Sequence, residues 1–222
     1  MILADAATAP SRPGRKKADP DRLPSSDVLL EAARQVFAER GLEGARVDDI
    51  ARRAGVNKQL VYHYFENKDG LYTAVLEYVY GEIRRREQEL DLSRYPPEEA
   101  MRRLVEFSFD YLATHPDFVS LLADENAHGG RHLQGSDRVE AVNRPIVDLI
   151  ATTLRRGETD GVFRKGLDPL HLYLSVAGMG FFYFANIHTL SRIFNRALAE
   201  DAAVSERRAH IVDFVLNSIR LR

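Results

Sequence analysis

Apolar residues recur at helical spacing along most of this chain, and the sharpest instance lies in residues 47–68, VDDIARRAGVNKQLVYHYFENK. Val47, Ile50, Ala51 and Ala54 fall at i, i+3, i+4 and i+7, the apolar stripe of a short amphipathic helix. Gly55 follows at once and suits the left-handed conformation that ends a helix. Val56 plugs the corner, Asn57 can cap the next helix, and Val61 and Phe65, four apart, turn inward. Lys58, Gln59, Leu60, Tyr62 and His63 are left looking mainly outward. The pattern predicts a helix-turn-helix whose second helix is displayed.

The flanking segments are helical as well. A first helix starts near residues 25–27, buries Leu29, Leu30, Ala33, Val36 and Phe37, and stops at Arg40 and Gly41. From Leu71 a long helix runs through Val75, Leu76, Val79 and Ile83, with only Gly81 to weaken it before Pro96. Further helices are predicted over 98–114, 116–122, 137–156 (bent near Pro145), 169–194 and 205–221. Residues 125–136, ENAHGGRHLQGS, are too rich in Gly and polar groups to continue a helix well. No strand-length alternation and no repeat occurs, so the predicted fold class is all-α.

Residues 50–72, IARRAGVNKQLVYHYFENKDGLY, resemble the signature of the TetR family of transcriptional regulators. The pattern I-A-x-x-A-G-V followed by Y-x-Y/H-F-x-x-K-x-x-L is met by Ile50, Ala51, Ala54, Gly55, Val56, Tyr62, Tyr64, Phe65, Lys68 and Leu71. The resemblance covers the N-terminal third. It implies a three-helix DNA-binding head at 25–70 and a larger helical effector-binding and dimerisation body at 71–222, joined by the helix that begins near Lys68. It further implies a homodimer reading a near-palindromic double-stranded DNA operator, a repressor released by a small organic effector, and no cofactor. A structural DNA-binding protein of the same fold, recruiting a protein partner and lacking an effector, is the competing reading.

Within the helix-turn-helix, residue chemistry assigns roles. Lys58 and Gln59 sit where they can reach base edges, lysine towards guanine and glutamine towards adenine. Leu60 suits a thymine methyl, and Tyr62 and Tyr64 can offer hydroxyls to phosphate oxygens. Lys68 lies beside the free N–H groups of a helix start, together an anion site. The family usually has a threonine near the start of the second helix, where this chain has Ala45 and Arg46. Arg46 either replaces that phosphate contact with a charged one or is a solvated arginine. In the family, the position of His63 often packs or touches the DNA backbone.

Composition narrows the remaining classes. Hydrophobic residues make up 45% and charged residues 29% of 222, ordinary for a soluble globular chain. The absence of cysteine removes disulfides, thiolate chemistry and Cys-based zinc sites and fits a reducing, cytoplasmic setting. No signal pattern opens the chain, and the apolar run 170–187 is interrupted by His171, Ser175 and Asn186, so no membrane span is expected. Net charge is −2, so any DNA contact must be local. Residues 1–24 hold five Lys/Arg against three Asp and no periodicity, which predicts a disordered basic tail. Neither a G-x-S-x-G elbow nor a P-loop nor an HExxH motif is present, so an enzyme is not expected.

The body offers weaker signals. Phe107, Tyr111, Phe181 and Tyr183 can wall an apolar ligand pocket, although each also reads as core packing. Glu125, Asn126 and His128, with Asp124 and His132, form a polar cluster that reads as a pocket mouth, a plain loop or a metal site, and metal is the least favoured. Val176, Gly180 and Phe184, with His210, Phe214, Asn217 and Leu221, are candidates to pack against a symmetry mate, as the last two long helices do in the family.

Overall fold

The computed structural model describes residues 26–134 and 136–221, with the backbone alone for Asp137 and Arg138. The basic tail expected at 1–24 lies outside the described residues. Ten α-helices follow in order: α1 Ser26–Gly44, α2 Val47–Ala54, α3 Lys58–Phe65, α4 Lys68–Glu89, α5 Pro97–Thr114, α6 Pro116–Ala127, α7 Asp137–Thr159, α8 Pro169–Ala185, α9 Ile187–Ile193 and α10 Asp201–Ile219. Among the described residues there is no strand beyond one isolated bridge between Phe163 and Arg220, so the fold is all-α.

Local chemistry sets the head. Gly55 (φ 70°, ψ 30°) ends α2, its amide bonding back to the Arg52 carbonyl. Asn57 Oδ1 then accepts from the Leu60 amide at 2.9 Å, and Asn67 Oδ1 from the Gly70 amide at 2.8 Å, so both following helices start on asparagine caps. Leu29, Ala33, Val36 and Phe37 of α1 close over Ile50, Ala51 and Val61. The same core takes in Leu71, Tyr72, Val75, Leu76 and Val79 of α4 and, beyond the head, Tyr111 and Leu112 of α5 and Phe118, Val119 and Leu121 of α6. A second core gathers Leu104, Val105 and Phe109 of α5 with Ile146, Ile150 and Leu154 of α7, Val176 of α8 and Ile211, Val215 and Leu216 of α10.

Charged groups of α6 fasten the two parts. Asp124 Oδ2 accepts from the Leu42 amide at 2.9 Å and from the Tyr72 hydroxyl at 2.9 Å. Gly41 (φ 66°, ψ 174°) breaks α1 here, and a Cβ on it would lie 2.8 Å from Asp124 Oδ1. Asp117 pairs with the nearly buried Arg34 of α1, which also donates to Glu82 Oε2 of α4 at 2.9 Å.

Three elements depart from expectation. α6 runs past Leu122 to Ala127, and its last turn is closed by His128, whose Nδ1 lies 2.7 Å from the Asp124 carbonyl. The helix expected over 169–194 breaks at Asn186, and its two pieces lie 70° apart. The Asn186 side chain bonds back to the Phe182 carbonyl at 2.9 Å, and Thr189 Oγ1 to the Asn186 carbonyl at 2.9 Å, so side chains compete with the helical ladder there. Finally, Val176 and Gly180 face inward rather than towards a symmetry mate, since a Cβ on Gly180 would meet Leu112 Cδ1 at 2.9 Å. α8 is apolar all round, so periodicity cannot tell its two faces apart. The opposite face, Leu170, Leu174 and Phe182, is the exposed one, alongside Phe214 of α10 and Leu221 beyond it.

Replacing Asp124 by alanine leaves the Leu42 amide without its acceptor and the Tyr72 hydroxyl with only the longer bond to the Leu121 carbonyl at 3.4 Å. Each group that loses Asp124 costs about 1–3 kcal/mol, so urea unfolding should show a loss of roughly 2–4 kcal/mol at unchanged slope. A loss below about 0.5 kcal/mol, the range of ordinary surface substitutions, would show that water satisfies these groups.

Candidate nucleic-acid interface and ligand cavity

The displayed face of α3 carries Lys58, Gln59, Tyr62, His63 and Tyr64, all exposed, with Tyr62 and Tyr64 each at 40%. Val61 is buried beneath them and Phe65 packs on the same core. Leu60 is less open than expected: from the flank of the helix it packs partly against the head core, so only part of its side chain is free for a base methyl.

Few cations of the head are free. Lys58 Nζ lies 2.9 Å from Asp48 Oδ2 of α2 and 5.9 Å from the Tyr62 ring centre, and the Asp48 hydrogen bond holds the ammonium above its ordinary pKa. Arg40 and Arg52 both pair with Asp49, and Arg53 reaches Glu39 at 2.7 Å. Lys68, expected at phosphate, instead donates to the Leu42 carbonyl at 2.8 Å and lies 3.5 Å from that of Ala45, bracing the α1–α2 connection. Sequence spacing could not show this, because both carbonyls belong to a connection some 25 residues upstream. Arg46 is exposed at the cap position of α2, in extended conformation; its carbonyl accepts from the Asp49 and Ile50 amides, and its side chain forms no ion pair or hydrogen bond among the described residues.

The polar cluster of the body is structural in this arrangement. Glu125 is 2% exposed and accepts from both the His132 amide and ring, each at 2.7 Å. Asn126 is exposed and bonds to the Leu122 carbonyl, and His128 caps α6. Among the described residues no three His, Cys, Asp or Glu converge to hold a metal. Tyr111 stacks on His115 in the core shared with the head, with ring centres 4.0 Å apart, and Tyr183 donates to the Leu198 carbonyl at 2.6 Å. Phe107 packs against the head-side core. Of the ligand candidates, Phe181 lines a cavity.

That cavity, about 280 Å³, opens between α4, α5, α6 and α8. Tyr80, Ile83, Leu112, Phe118, Leu122, Leu174 and Phe181 give it apolar walls, with Arg84, Glu87, Ser108 and Tyr173 as its polar groups. A larger hollow of about 420 Å³ on the other side of Arg84 and Glu87 is bordered by Leu92, Pro145, Ile146 and Leu149 with Gln88, Asp91, Ser93 and Asp148, and lacks aromatic walls. An organic ligand calls for the first kind of lining.

Comparison with known proteins agrees with this geometry. Residues 29–75 match the model of bacterial regulatory proteins of the tetR family, and 97–215 match a Tetracyclin repressor-like C-terminal domain. The HTH-type transcriptional repressor NicS of Pseudomonas putida is 36% identical over 194 residues, 87% of this chain and 92% of that one. Among solved structures, the regulator FadR of Bacillus subtilis in complex with stearoyl-CoA aligns with a TM-score of 0.65 at 17% identity over 88% of this chain and 100% of that one. A transcriptional regulator from Saccharomonospora viridis in complex with choline aligns at 0.67, with 22% identity over 88% of this chain and 97% of that one. The chain belongs to the TetR family and is a DNA-binding transcriptional regulator, not an enzyme.

Lys58 must give up Asp48 before it can reach DNA, and Asp48 itself repels phosphate. Asp48→Asn should therefore raise affinity for duplexes of unrelated sequence several-fold, read by fluorescence anisotropy at two salt concentrations. Unchanged affinity would place the Lys58–Asp48 pair away from the DNA.

Proposed function

We propose that the chain acts as a homodimeric repressor that binds a near-palindromic operator and leaves it when a small organic ligand enters the body. The observation that carries the DNA-binding half is the α3 surface, five exposed polar or aromatic side chains on a helix fixed from below by Val61 and Phe65. Gln59 and Lys58 read bases, with the free part of Leu60 beside them. Tyr62, Tyr64, His63 and the unpaired Arg46 hold phosphate and set register. Lys68 contributes by holding the α1–α2 connection in place and keeps one N–H for a phosphate.

Dimerisation is supported by the apolar surface left open on α8, α9 and α10. Leu174, Phe182, Ile193 and Phe214 are each more than half exposed, unusual for so many large apolar groups in a monomer. A two-fold contact through this surface would set two α3 helices on successive major grooves. The ligand-released reading is favoured over a partner-recruiting protein without effector by the aromatic cavity under α8, since a filled body would leave no such space. Such a regulator works where the DNA is, in the cytoplasm, and among the described residues no single helix is long and apolar enough to cross a membrane.

Selection from random duplexes should return a two-fold symmetric site, and Gln59→Ala should alter one or two positions per half-site. Tyr62→Phe should weaken operator and unrelated DNA by similar factors. Phe214→Arg should give a monomer by sedimentation and lower operator affinity roughly 10²-fold, because each head then binds alone. A dimer that survives this change, or a selected site without symmetry, would contradict the arrangement.

A further inference from the structure

The hydrogen-bond donors left free in the aromatic cavity are of one kind. Arg84 enters its wall 5% exposed and donates from Nε to Asn143 Oδ1 at 2.8 Å, and through its two terminal nitrogens to Glu87 Oε1 at 2.6 Å and the Tyr173 hydroxyl at 2.8 Å. Arginine has no acceptor. The Tyr173 oxygen therefore receives that bond, and its own proton has no acceptor among the described residues. The Tyr80 hydroxyl likewise has no hydrogen-bond partner among the described residues, and burial pushes its pKa up to about 12. Glu87 is committed to Arg84 with both carboxylate oxygens, and Ser108 donates to the Leu104 carbonyl. Two phenolic O–H groups beside a guanidinium are the donors the cavity has left to offer, with the Ser108 oxygen left as an acceptor.

Donors in search of an acceptor define the ligand. We propose that this cavity binds a compact organic acid: its carboxylate accepts from the Tyr80 and Tyr173 hydroxyls beside Arg84, and its apolar body lies against Leu112, Phe118, Leu122 and Phe181. The proposal rests on reading the cavity as the effector site. A volume of about 280 Å³ is at the small end for ligand pockets and suits one ring or a short chain, not a long acyl group. An organic cation fits worse, although the aromatic walls resemble a cage for ammonium groups. Arg84 already lies over Tyr173, 5.4 Å from its ring centre, and no lining carboxylate is free to balance a second cation. Burial holds Glu87 above the usual carboxylate range while Arg84 pulls the other way.

Calorimetric titration of the full chain with benzoate, phenylacetate and hexanoate, their amides, and phenyltrimethylammonium tests the idea. At least one acid should bind tenfold or more tightly than its amide, and phenyltrimethylammonium should not bind. Tyr80→Phe removes only an unpartnered hydroxyl, so it should leave thermal stability unchanged and weaken that acid about tenfold, a charged hydrogen bond's worth. Tyr173→Phe should weaken it at least as much. Equal binding of acid and amide, no effect of Tyr80→Phe, a preference for the ammonium compound, or no binding by any of the acids would each overturn the proposal. Operator release is scored separately. An acid that binds through Tyr80 without releasing operator overturns the effector reading alone, and release by a neutral or cationic ligand bound in the cavity overturns the acid proposal alone.

Discussion

Asp124 and Asp117 on α6 hold the DNA-reading head to the body. One takes the Leu42 amide and the Tyr72 hydroxyl, the other the guanidinium of Arg34. Without such partners the end of the main span of α1 would leave a polar amide in a nearly dry seam, and Arg34 would carry its charge there with Glu82 and the more exposed Glu31. α6 also contributes Phe118 and Leu122 to the cavity, while α4 contributes Tyr72 and Glu82 to the seam and Tyr80, Ile83, Arg84 and Glu87 to the cavity. A molecule filling the cavity thus presses on the two helices that fix the head. Its effect on DNA binding would depend on how differently it fits the two arrangements of those helices, not on how tightly it binds.

Charge on the head follows the same economy. Four of its basic side chains are already paired with Glu39, Asp48 or Asp49. On the proposed assignment, DNA binding is an exchange of partners, with a smaller net gain per contact than a bare cation would give and with the uncharged hydroxyls of Tyr62 and Tyr64 to supplement it. That is consistent with a net charge of −2 and limits attraction to arbitrary duplex.

The head was legible in the sequence because its signals are local. Gly55 after a three-four spaced stripe, Asn57 and Asn67 as caps, and Val61 with Phe65 as the inward pair each act within one turn of helix, and the structure has all of them. What escaped depends on partners far along the chain. The carbonyls of Leu42 and Ala45 that take two of the Lys68 donors could not be read from its neighbours. The cluster of Glu125 and His132 reads as a pocket mouth, a plain loop or, least favoured, a metal site, and their bond to each other decides its local geometry. Arg84 and Glu87 lie in a charged run, GEIRRREQEL, whose local pattern does not mark them as inward, and it is the packing of α7 on α4 with the bond from Arg84 to Tyr173 of α8 that encloses them. The inner and outer faces of α8 are equally apolar, so its exposed side could be found only from the fold.

The central claim is that head and body share one cooperative seam closed by α6. Amide hydrogen exchange of the free protein tests it at a single site, the Leu42 amide, whose acceptor Asp124 lies 82 residues away. If the seam holds, Leu42 exchanges about as slowly as Val75 and Leu76 in the middle of α4, because it opens only when the shared core does. Exchange as fast as the amides of Lys58 and Gln59, which begin α3 without helical acceptors, would mean that the head moves freely on the body and that the account is wrong.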